Sequence, residues 1–185
     1  MSLQAIVGSI TDDLKRVEEA IAKHLETDVS FISDIAHYVL SSGGKRIRPV
    51  LIILTARLCN YGGPRVYDLS AVIEFIHTAT LLHDDVIDNS DLRRGHPTVN
   101  SRWGNEISIL IGDYLYSKAM SLSLADKDHQ VMETISDVTM EMAKGQVIET
   151  LKQRDLTTSE ADYYRIIASK TASLWYPKAD DYFPA

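Results

Sequence analysis

An all-α fold is predicted for this chain by three observations: apolar residues recur at steps of three and four, clusters of glycine, proline and asparagine punctuate those runs, and no stretch alternates convincingly with period two. With 185 residues, 45% hydrophobic and 24% charged, the chain is long enough to bury one substantial core. No repeat and no linker divides it, so a single domain over 1–185 is expected, with 175–185 as an atypical tail.

The elements follow in order. Ile6, Ile10, Leu14, Val17, Ile21 and Leu25 form one apolar helix face. A second helix carries Phe31, Ile35 and Val39 beside Ile32, Ala36 and Leu40, and ends at Ser41-Ser42-Gly43-Gly44, a composition that stops helices. From Pro49, well placed in a first helical turn, Val50 to Leu58 reads as a third helix that closes at Asn60-Tyr61-Gly62-Gly63-Pro64. In the stretch Leu69 to Asp88, Ala71, Val72, Ile73, Phe75, Ile76, Ala79, Leu81 and Leu82 surround nearly the whole circumference, as in the central helix of a bundle. Asn89 to Asn105 is polar and broken by Gly95, Pro97 and Gly104, a connection long enough to be functional. Helical patterning resumes over Ile107 to Leu124 and from His129, where Val131, Ile135, Val138 and Met142 share a stripe, and Thr157-Thr158-Ser159-Glu160 marks another helix start. The last helix is expected to end near Tyr176, since Pro177 and Pro184 leave the remainder irregular.

Charge narrows the function. The 26 acidic and 19 basic residues give a net charge of -7, which argues against nucleic acid or a broad anionic membrane as a partner. An anionic ligand must therefore meet a local cluster. Cys59 is the lone cysteine, which leaves no disulfide framework or thiolate metal site within the chain and fits a reduced, cytoplasmic setting. The longest apolar run, Val50 to Leu54, is too short for a transmembrane segment, and no signal peptide is visible.

Asp84, Asp85 and Asp88 end an otherwise apolar helix, and the four-residue step puts Asp84 and Asp88 on one face. They are either a solvated helix end or the oxygen ligands of a hard cation, with Mg²⁺ favoured by the absence of sulfur and imidazole. His77 lies seven residues earlier, close to two turns, on roughly the same face; it is a packing residue or part of the site. Arg93-Arg94-Gly95 lies beyond the carboxylates, and Gly43-Gly44-Lys45-Arg46-Ile47-Arg48-Pro49 puts three cations on a glycine-rich loop entering a helix. Each cluster is a solvated patch or part of a diphosphate site, because guanidinium forks, an ammonium and helix N-terminal N–H groups are what hold diphosphate.

Taken together, these residues resemble the trans-isoprenyl (polyprenyl) diphosphate synthase family, and within it the bacterial octaprenyl-type synthases. That family's signature is a GGKRxRP loop, a helix ending in DDxxD, then a short spacer and RRG. Here it stands as Gly43 to Pro49, Leu81-Leu82-His83-Asp84-Asp85-Val86-Ile87-Asp88 and Arg93-Arg94-Gly95-His96-Pro97-Thr98, with Gly112-Asp113-Tyr114-Leu115, Gly145-Gln146 and Lys170-Thr171 as further matches. Order and spacing agree from roughly Leu14 to Leu174.

The resemblance implies an isoprenoid-synthase helical bundle and Mg²⁺-dependent prenyl transfer between isopentenyl diphosphate and an allylic diphosphate. It implies metal binding by Asp84 and Asp88 with Asp85 in support. Arg93, Lys170 and Thr171 would hold the allylic diphosphate, Lys45, Arg48, His77 and Arg94 would hold isopentenyl diphosphate, and Gln146 would lie in the outer shell of the metal. A homodimer is also implied. Ala79 and Thr80, with Ile76 a turn further back, offer no aromatic plug before Asp84, which favours a medium or long polyprenyl product.

The chain departs from the family where a second aspartate-rich motif would stand. Asp180-Asp181-Tyr182-Phe183-Pro184 has proline in place of a third aspartate and follows Lys170-Thr171 too closely. The bundle is thus expected to be incomplete at its C-terminus, a shortened form whose exposed apolar faces favour self-association. The reading opposed to an active enzyme is a catalytically incompetent form, or a binding subunit of the same fold.

Overall fold

A computed structural model describes residues 8–41, 44–170 and 172–174. The predicted tail over 175–185, Ser42, Gly43 and Thr171 lie outside the described residues. The chain divides into two compact units, Met1–Ala125 and Asp126–Ala185, where the sequence suggested one domain.

The first unit contains α1 (Thr11–His24), α2 (Ser30–Ser41), α3 (Ile47–Leu58), α4 (Arg65–Ile87), a hairpin of β1 (Leu92–Arg93) and β2 (His96–Pro97), α5 (Val99–Trp103) and α6 (Asn105–Ala125). Helix α4 is its axis: α1, α3, α5 and α6 all pack on it. Ala71, Val72, Phe75, Ile76, Ala79 and Leu82 of α4 are each at most 1% exposed, which is why its apolar residues encircle it rather than form a stripe. Ile10, Val17, Ile21 and Leu25 are buried along α1, and Ile111, Leu115 and Ala119 along α6. Pro49 falls at the third residue of α3, where its missing N–H has no intrahelical acceptor to lose.

Local chemistry shapes the end of α4. Asn89 adopts φ 49°, the Ser90 N–H donates to the Asp85 carbonyl and the Asn89 N–H to the Val86 carbonyl. This is a Schellman cap with asparagine in the left-handed position that glycine usually takes. The connection that follows is ordered: β1 and β2 pair antiparallel with Leu92 opposite Pro97 and Arg93 opposite His96. Arg94 and Gly95 form the two-residue turn, with φ 54° and 82°, both signs that a type I′ hairpin demands.

The second unit is a helical hairpin, α7 (His129–Lys152) and α8 (Glu160–Lys170), followed by a 3₁₀ turn over Ala172–Leu174. The Asp128 carboxylate accepts from the Gln130 N–H at the start of α7. At the start of α8, the Asp162 N–H donates to Ser159 Oγ and the Ser159 N–H to Asp162 Oδ2, a capping box where the sequence marks a helix start. The two helices approach closely at Gly145, where an added methyl would come within 2.6 Å of the Lys170 backbone nitrogen. Among the described residues no helix is long and apolar enough to cross a membrane.

Because backbone rather than a flexible side chain faces Gly145, Gly145→Ala is expected to lower stability by about 2 kcal/mol, as overpacking does. Urea denaturation measures it; an unchanged midpoint would mean that α7 and α8 are not in contact there.

Candidate functional site

Three carboxylates crowd the last turn of α4, at the negative end of the helix dipole. The arrangement is unfavourable without cations, and the chain supplies one itself. Arg93 Nη2 and Nε donate to Asp85 Oδ1 at 2.6 and 2.9 Å, and Nε also to Oδ2 at 3.1 Å. Asp85 is buried, and these bonds hold the Arg93 guanidinium pKa above its usual value against the cost of burial, helped by the charges of Asp84 and Asp88. Two residues given separate roles by the sequence reading are thus paired with each other.

The rest of the connection folds back on its own beginning. Asn100 Nδ2 donates to the carbonyls of Ser90 at 3.1 Å and Asp85 at 3.3 Å, and Thr98 Oγ1 donates to the Ser90 carbonyl at 2.6 Å. One helical turn separates the half-buried Asp84 from the exposed Asp88 on a common face. Just before them, His83 Nε2 lies 3.3 Å from Asp113 Oδ1 and ties α4 to α6.

Among the described residues no group of three or more His, Cys, Asp or Glu side chains could itself enclose a metal ion. Asp84 and Asp88 offer an all-oxygen pair that suits Mg²⁺, which keeps several waters and takes further oxygens from phosphate. The donor set therefore fits a cation shared with a ligand and not a dedicated protein cage.

The cationic residues converge around His77, on the same helix. Burial pushes the His77 imidazole pKa down to about 3, and the charges of Arg48, Arg94, Arg93 and Arg46 push in the same direction. Arg48 itself is lowered, chiefly by burial, with Glu74 opposing and Arg94 adding to the shift. Arg94 Nη1 occupies the space beside Gly44, 2.9 Å from where a Cβ would stand, so the glycine-rich loop and the hairpin turn meet. Lys45 is exposed on that loop. Arg94 makes no ion pair among the described residues.

Arg46 has a different task. Its guanidinium donates to Glu18 at 2.6 Å, to Glu74 at 2.9 Å and to the Leu40 carbonyl at 3.0 Å, while its backbone sits at φ 46°. Burial opposes its charge, but Glu18 and Glu74 outweigh that and raise its pKa. Glu74 and Glu18 are absent from the sequence reading, although a buried acid one turn before His77 on an apolar helix was a visible signal.

In the second unit, both side-chain amide atoms of Gln146 are buried without a hydrogen-bond partner among the described residues, and Lys170 Nζ donates to Glu149. Glu149, three residues after Gln146 on α7, is a further polar neighbour that the motif did not single out.

The family model described as Polyprenyl synthetase matches residues 29–180. The octaprenyl diphosphate synthase of Escherichia coli (strain K12) is 41% identical over 175 residues, covering 95% of this chain and 54% of that protein. The all-trans-nonaprenyl-diphosphate synthase (geranyl-diphosphate specific) of Rhodobacter capsulatus is 36% identical, covering 93% and 53%. Among solved structures, a decaprenyl diphosphate synthase from Rhodobacter capsulatus superposes with a TM-score of 0.89 at 38% identity, covering 92% of this chain and 53% of that one. A polyprenyl synthase from Caulobacter crescentus CB15, complexed with calcium and isoprenyl diphosphate, gives 0.90 at 36% identity, covering 94% and 53%. The chain spans about half the length of the curated relatives it matches.

Two outcomes follow from the electrostatics. Because the folded-state pKa of His77 lies below the ordinary 6.5, the unfolded chain takes up a proton that the folded chain refuses. The stability of neutral His77 is complete above about pH 6.5 and is lost as pH falls toward 3, by at most about 1.4 kcal/mol per pH unit. Denaturation of the wild type and His77→Gln across that range checks the sign: the difference should narrow or reverse in acid.

Removing Arg93 by Arg93→Gln should cost about 3 kcal/mol, because it strands the buried Asp85 charge. Adding Asp85→Asn should recover part of it, and strictly additive losses in the double-mutant cycle would contradict the pairing.

Proposed function

The chain belongs to the polyprenyl synthetase family, and from that premise we propose that it serves head-to-tail prenyl transfer, in which isopentenyl diphosphate is added to an allylic diphosphate. One observation carries this reading: the convergence of Arg48, Arg94 and Arg93 on a neutral, half-buried His77 that shares a helix with Asp84 and Asp88. Chain-wide charge is -7, and the carboxylates of Asp85, Glu18 and Glu74 answer Arg93 and Arg46 but form no ion pair with Arg94 among the described residues, which calls for an anion there. A diphosphate is such an anion.

In this reading Lys45, Arg48, His77 and Arg94 hold isopentenyl diphosphate. His77, neutral at physiological pH, accepts or donates a hydrogen bond there and adds no charge. Asp84 and Asp88 are the residues that would hold Mg²⁺, which would supply positive charge to offset the charge growing on the leaving diphosphate. Asp85 supports the pair through Arg93, which it holds in a bidentate contact that keeps the connection folded, and the family resemblance also gives Arg93 a part in holding that diphosphate. Of the guanidinium groups, Arg93 is the one assigned to the allylic diphosphate, where a cation stabilises the charge that develops on the departing oxygens.

The chain is further read as part of one isoprenoid-synthase domain that works as a cytoplasmic homodimer. Transfer is tested by incorporation of labelled isopentenyl units into extractable lipid with an allylic primer and Mg²⁺. Incorporation that disappears in Asp84→Ala supports an enzyme, whereas binding without incorporation assigns the chain to a binding arm.

Binding itself is read at His77. Isopentenyl diphosphate, titrated without metal, should raise the His77 pKa in NMR spectra, because the anion offsets the surrounding guanidinium charges. Arg94→Gln should weaken binding about ten-fold, the value of one charge-assisted hydrogen bond. No movement of His77 at saturating ligand would remove the reading.

A further inference from the structure

We infer that Tyr38 is a positioning residue for the isopentenyl diphosphate site, fastening the hairpin that carries Arg94 to the helix that leads into the glycine-rich loop. The inference rests on the function proposed above and adds a residue to it. Tyr38 lies on α2, three residues before that helix ends at Ser41. Its hydroxyl donates to the Pro97 carbonyl at 2.7 Å. Pro97 belongs to β2, and through the pairing of Arg93 with His96 that strand sets the turn at Arg94-Gly95.

The phenol is itself fixed on two sides. Its ring meets Trp103 edge-on at 5.1 Å between centroids, and the Arg102 guanidinium lies 5.0 Å from the Tyr38 ring and 4.5 Å from that of Trp103. An edge-to-face pair with a cation against both rings leaves the hydroxyl little freedom. Two contacts therefore join the same two segments: Tyr38 to Pro97 at the base, and Arg94 against Gly44 at the tip.

The tip is the weaker of the two. Arg94 stands in the left-handed region, a conformation that arginine holds only when its surroundings impose it, and its side chain is long and flexible. Without the bond at Pro97 the base of the hairpin stays fastened by Arg93 and Thr98, but its tip at Arg94-Gly95 loses the support that keeps Arg94 against Gly44. The three carboxylates stay where they are, because Arg93 and Asn100 hold their end of the connection.

Tyr38→Phe keeps the ring contacts and removes only the hydroxyl. Isopentenyl diphosphate affinity is measured by calorimetry for the wild type, Tyr38→Phe, Arg94→Gln and the double variant, with thermal midpoints alongside. Tyr38→Phe should weaken binding about five-fold in the wild-type background and less than about two-fold once Arg94 is gone, with little change in midpoint. Equal weakening in both backgrounds, or none, would overturn the inference.

A ligand-free measurement separates this failure from that of the proposed function. In Tyr38→Phe the His77 imidazole should titrate at higher pH than in the wild type, since Arg94 is one of the cations that lowers it. If the wild type does not bind isopentenyl diphosphate, the functional reading falls. If it binds but Tyr38→Phe leaves His77 unmoved, only the role of Tyr38 falls.

Discussion

The structure of the first unit depends on a conflict at the end of α4. Three carboxylates sit in the last turn of a helix whose dipole already makes that end negative, and one of them, Asp85, is buried. Arg93 resolves the buried part with a bidentate contact, and to reach Asp85 it must lie on a connection that turns straight back. The Schellman cap at Asn89, the Asn100 amide and the Thr98 hydroxyl make that return possible. The hairpin then delivers Arg94 to Gly44, so the negative end and the positive corner are built by one folding-back of the chain.

The cations divide by what neutralises them. Arg46 is enclosed by Glu18, Glu74 and the Leu40 carbonyl, and Arg93 is paired with Asp85, so both act first in holding the fold. Lys45 is exposed on the loop, and Arg94 makes no ion pair among the described residues. Glu74 matters to both sets, since it pairs with Arg46 and its charge also acts on Arg48. A buried carboxylate in an apolar helix is costly in isolation, and here it lets several guanidinium groups gather before any diphosphate is present.

Much of this was legible from residue patterns, where the determining contacts are local. The stripe over Ile10, Val17, Ile21 and Leu25, the all-round apolar character of α4 and the Ser159 start of α8 each follow from spacing within a few turns. The hairpin was not legible, because Arg94 takes a positive φ that arginine rarely adopts and two-residue strands are too short to show alternation. The Arg46 network was hidden for another reason: its partners lie 28 residues away on either side. Motif spacing pointed to the acids and bases as ligand-binding groups, but could not reveal that Asp85 and Arg93 bind each other.

In the proposed function, Arg48, His77 and Arg94 form a diphosphate site that the fold assembles in advance while Arg46 stays with its two glutamates. A crystal structure with isopentenyl diphosphate bound tests it most directly. The diphosphate oxygens should contact Arg48, Arg94 and His77 with the Arg46 to Glu74 pair intact; a diphosphate that binds Arg46 by breaking that pair, or that settles away from His77, would contradict a site assembled in advance.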